Sequence, residues 1–64
     1  MCLSTAYSNE KSPEHLIAKN IQFMRFEEGG VILTDLLDNE TRVPGAVKSI
    51  DLVNGVVIID TEVA

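Results

Sequence analysis

The stretch Lys48-Ser49-Ile50-Asp51-Leu52-Val53-Asn54-Gly55-Val56-Val57-Ile58-Ile59-Asp60 decides the fold of this 64-residue chain. Two β-branched runs flank an Asn-Gly pair, and such a pair supplies the positive φ angles that a tight hairpin turn requires. A two-residue turn sets Val53 opposite Val56, Leu52 opposite Val57, Asp51 opposite Ile58 and Ile50 opposite Ile59. One face then carries Ile50, Leu52, Val57 and Ile59 and is predicted to be core. The other mixes Asp51, Val53, Val56 and Ile58.

Working back toward the N-terminus, Ile21-Gln22-Phe23-Met24-Arg25-Phe26 and Val31-Ile32-Leu33-Thr34-Asp35-Leu36-Leu37 flank Glu27-Glu28-Gly29-Gly30 and read as a second hairpin. Asp38-Asn39-Glu40 is a further turn, and Thr41-Arg42-Val43 a short strand that Pro44-Gly45 interrupts. Cys2 to Tyr7 alternates loosely like a strand, while Ser8 to Glu14 reads as a polar loop. Glu14 to Met24 carries both helical spacing (Ile17, Ile21, Met24) and strand-favouring residues. Because the following hairpin needs a first arm, it is read as strand with a break near Lys19-Asn20. The sum is a single all-β domain over residues 1–64. Five to six short strands form an antiparallel sheet closing toward a small SH3-like barrel, with no internal repeat.

Composition narrows the function. The chain is 45% hydrophobic and so apolar enough to fold, but a domain of 64 residues has a small core. Its single cysteine, Cys2, rules out an internal disulfide and fits a reducing cytoplasmic compartment. A metal or a second subunit is the remaining source of added stability. The net charge of −5 and the scattered Lys11, Lys19, Arg25, Arg42 and Lys48 give no basic stripe for phosphates, which argues against nucleic acid. There is no membrane-spanning run.

Cys2 follows the initiator methionine. A lone cysteine is commonly a small buried hydrophobe. Near a chain start, however, its thiolate stands close to backbone nitrogens and, once methionine is removed, to the α-amine, a donor set suited to Ni(II) or Cu(II). Two copies meeting about a two-fold axis would bring two thiolates to one ion. His15 is a further candidate ligand, although its place beside Pro13 and Glu14 in a polar loop fits a solvent-facing histidine. Glu27-Glu28, Asp38 with Glu40, and Asp60 with Glu62 flank turns or the end of the chain and read as solvating charges. Tyr7, Phe23 and Phe26 could offer a base-stacking platform, but without interleaved cations the two phenylalanines read as core. A Cys2–His15 nucleophile and base pair has nothing to orient it, so no catalytic site is read.

Met1-Cys2-Leu3-Ser4, Val31 to Leu37 and Lys48 to Val53, in that order and at this length, resemble the CooT-type nickel-binding family, small proteins associated with maturation of nickel-dependent carbon monoxide dehydrogenase. The resemblance implies a homodimeric β-barrel that binds Ni(II), or another soft or borderline divalent metal, through Cys2 at the subunit interface. It also implies a carrier for nickel-enzyme maturation partners rather than an enzyme. The alternatives are a protein-interaction module using the Val53, Val56 and Ile58 face, or a nucleic-acid-binding barrel.

Overall fold

The computed structural model describes residues 3–62, and Cys2 therefore lies outside the described residues. Six strands are present: β1 (Ser4–Ser8), β2 (Leu16–Glu27), β3 (Gly30–Asp35), β4 (Glu40–Pro44), β5 (Ala46–Asp51) and β6 (Val56–Asp60). They form one sheet in the order β4-β3-β2-β1-β6-β5. All neighbours are antiparallel except β1 and β6, which run parallel with Ala6 beside Val57. The all-β expectation holds. The sheet curls without closing, so its likeness to a barrel is approximate.

Long β2 is shared between two neighbours. Its first half, Leu16 to Ile21, pairs with β1, and its second half, Ile21 to Glu27, pairs with β3 on the opposite edge. The break expected near Lys19-Asn20 is a local distortion instead: the strand is continuous, with Asn20 at φ 58°. A single turn of 3-10 helix, Pro13–His15, leads into β2, where the sequence reads as loop. The inner face buries Ala6, Ile21, Val31, Leu33, Val43, Val57 and Ile59. Each of the larger side chains contributes about 1.5–3 kcal/mol by leaving water.

The strands at the two edges of the sheet, β4 and β5, are consecutive in the chain and joined through Gly45 alone. The curl of the sheet must therefore bring the edges together at that corner. Gly45 sits at φ 124°, and a Cβ there would overlap the Asp60 carbonyl oxygen and lie 2.9 Å from Thr61 Cα. Its N–H also donates to the Gly29 carbonyl at 3.0 Å. Both the close approach and the dihedral angle demand glycine.

The Asn54-Gly55 hairpin exists, but with a four-residue loop and a register shifted by two. Asp51 pairs with Val56, Ile50 with Val57 and Ser49 with Ile58. The cause is the Asp51 side chain. Its Oδ1 accepts the Val53 and Asn54 N–H groups at 3.0 Å each, its Oδ2 accepts Asn54 Nδ2 at 2.9 Å, and the Gly55 N–H donates to the Asp51 carbonyl at 2.8 Å. Only Gly55 of the Asn-Gly pair has positive φ, so the two-residue turn does not form. A shift of two preserves the faces: Val57 and Ile59 are core as predicted, but Leu52 moves into the loop and is 87% exposed.

Asp35 does the same at the tip between β3 and β4. Oδ1 accepts Leu37 N–H and Asn39 N–H at 2.9 Å each, and Oδ2 accepts Asn39 Nδ2 at 3.2 Å. Leu36 and Leu37, read as strand, are consequently in the turn.

Gly45→Ala should cost at least about 2 kcal/mol, because a clash with backbone cannot relax through a side chain. Pro44→Ala, on the exposed edge strand, should be nearly silent by thermal unfolding. The Asp51 carboxyl is held below its ordinary value, chiefly by the Asn54 side-chain hydrogen bond, and that of Asp35 chiefly by the Asn39 N–H. Folded-state pKa values lowered in this way contribute stability above the ordinary aspartate range and lose it as pH falls through the depressed values. An NMR titration of the Val53, Asn54 and Asn39 amides should thus show midpoints below the ordinary aspartate value, 3.8. Midpoints at or above that value would refute the capping account.

Candidate functional site

Incomplete closure leaves an apolar groove of about 290 Å³ whose lining includes Ser4, Ile21, Phe23, Phe26, Ile50 and Leu52. Its origin is topological. Phe26 pairs with buried Val31, and Ile50 with buried Val57, so both belong to the inner face of the sheet. With no strand among the described residues bridging the gap, they remain 60% and 45% exposed. Core packing, the reading given by residue type to Phe23 and Phe26, is therefore incorrect: both stand in the open mouth of the curl. The same holds for Ile50 and Leu52, which alternation assigns to the core.

β1 begins only at Ser4, opposite Ile21, so β2 from Phe23 onward has β3 on one edge and no strand among the described residues on the other. The chain enters the described region beside this groove. A Cβ on Gly55 would come within 3.1 Å of the Leu3 carbonyl oxygen, and the Thr5 N–H donates to the Gly55 carbonyl at 2.8 Å. The 52–55 loop thus holds the residue next after Cys2 close to the groove wall formed by Leu52 and Ser4.

His15 lies elsewhere, in the connection between β1 and β2. It is half-buried, and its Nδ1 is 2.7 Å from Ser12 Oγ and 3.8 Å from a Glu10 carboxylate oxygen. Glu10, Glu14 and His15 offer ligand atoms within 4.8 Å of one another. These are oxygen and imidazole donors without sulfur, and they contain nothing of the Cys2 donor set. Glu27, read as a solvating charge, is instead engaged by Arg42 at 2.8 Å. Because the Arg42 end of the pair is exposed, it contributes little, about 0–1 kcal/mol. No helix among the described residues is long and apolar enough to cross a membrane.

The groove and the two aspartate-held tips escaped prediction. A signal existed: Asp35-Leu36-Leu37-Asp38 and Asp51-Leu52-Val53-Asn54 share the order aspartate, two apolar residues, then Asp or Asn, which is turn chemistry rather than strand alternation.

No curated protein matches the chain. Among solved structures, a CooT candidate of Carboxydothermus hydrogenoformans superposes with a TM-score of 0.78, covering 92% of this chain and 95% of that one. Its identity of 17% makes this a likeness of fold. The family model described as CooT, CO dehydrogenase accessory protein, matches residues 1–60, and with nearly the whole length of the chain covered, this protein belongs to the CooT family of CO dehydrogenase accessory proteins.

Proposed function

We propose that this protein is a cytoplasmic nickel carrier, not an enzyme, that binds Ni(II) through Cys2 at a homodimer interface and serves the maturation of a nickel enzyme. The observation that carries the reading is the apolar groove at the strand that follows Cys2. Phe26, Ile50 and Leu52 are inner-face or tip residues left in water, and a second copy laid across the groove would cover them. Such a contact would bring two N-terminal segments near one axis and give one ion two thiolates, together with backbone nitrogens. That donor set favours square-planar Ni(II) or Cu(II). Membership of an accessory family for CO dehydrogenase supports delivery rather than catalysis.

The test is a Ni(II) titration of the intact protein against Cys2→Ala, read by native mass. The parent should bind one ion per two chains, and Cys2→Ala should lose binding by at least about 100-fold, because the only thiolate donor is removed. Equal stoichiometry and affinity in the two proteins would refute the Cys2 site. Leu52→Asp, at an exposed position where the monomer fold should tolerate it, should shift sedimentation toward the monomer and weaken nickel binding with it. A Leu52→Asp protein that stays dimeric would place the interface elsewhere.

A further inference from the structure

Self-association through the groove leaves a second apolar projection unused. Leu36 and Leu37, at the tip between β3 and β4, are 56% and 79% exposed. Disorder is not the reason. Three donors from Leu37 and Asn39 converge on the Asp35 carboxylate, the Asp38 N–H donates to the Asp35 carbonyl at 3.0 Å, and Gln22 Nε2 bridges the Asp35 carbonyl (2.9 Å) and Asp38 Oδ1 (3.0 Å). The tip is built to hold two leucines out in water at a fixed position. Because β3 pairs on the edge of β2 opposite to β1, this tip projects from the other side of β2 from the strand that follows Cys2.

Charge indicates what such a knob fits. Asp38 and Glu40 are exposed beside the two leucines, and the chain as a whole carries −5. An apolar knob with an acidic rim complements an apolar pocket rimmed by lysine or arginine, and a second copy of this acidic chain offers the wrong sign. We propose that the Leu36–Leu37 tip is the docking point for the metal-accepting enzyme, through a basic-rimmed apolar pocket on that enzyme. The proposal rests on the carrier reading above. It separates the two surfaces: the groove for the second copy, the tip for the recipient.

The experiment measures binding of the full chain to immobilised, purified CO dehydrogenase at two salt concentrations. It compares the parent with Leu36→Ser/Leu37→Ser and with Asp38→Asn/Glu40→Gln. The leucine pair should lose at least tenfold in affinity with unchanged circular dichroism and sedimentation. The charge pair should slow association several-fold, and raising salt should reduce binding of the parent. Equal affinity of the leucine variant and the parent, or binding indifferent to salt, would overturn the tip as docking point and leave the nickel reading intact. A leucine variant that changes subunit number would overturn it in favour of a self-contact. Absence of binding by the parent would overturn it together with the choice of recipient, while the nickel titration of Cys2→Ala would still decide the metal site.

Discussion

Everything in this fold hangs on one glycine joining the two edges of one sheet. β4 and β5 lie at opposite ends of the strand order, yet Gly45 is all that separates them in the chain. A flat sheet would hold those edges about five strand spacings, roughly 24 Å, apart, far beyond the reach of one residue. Curling is therefore compulsory, and it gives a chain of this size an inside. The core from Ala6 to Ile59 is enclosed because the corner is closed, and the corner closes because no Cβ stands against the Asp60 carbonyl.

The same constraint accounts for the groove. Edges tied at one corner are free to part elsewhere, and the parting exposes inner-face side chains that alternation alone would assign to a core. The aspartate tips add a second source of exposed apolar surface by a different route, local turn chemistry that lifts two hydrophobic residues out of each hairpin. Sheet geometry and side-chain hydrogen bonding thus create separate apolar features on a molecule with an acidic surface.

The strands were legible in the sequence because period-two patterning and turn residues act locally. Ile21 to Phe26, Val31 to Asp35 and Val56 to Asp60 could each be read from their own neighbours. The register of the last hairpin was not, since an Asn-Gly turn and an aspartate-held loop compete for the same residues and the Asp51 carboxylate prevailed. Nor could Phe26 and Ile50 be told from core residues, because their exposure depends on how far two distant edges approach. Cys2 was singled out by its place in the chain and by family resemblance, and it lies outside the described residues.

The parallel pairing of β1 with β6 has a consequence for synthesis. Ser4 to Ser8 are made shortly before one partner, β2, but long before the other, Val56 to Asp60, and Gly55, which braces the start of β1, comes just before that second partner. Pairing between the ends of a chain is slow to nucleate compared with local hairpins. One edge of β1 is therefore covered early by β2, while its other edge stays open until β6 has been made. A product cut short before Val56 would keep the β1–β2 pair and lack the strand that covers the other edge of β1.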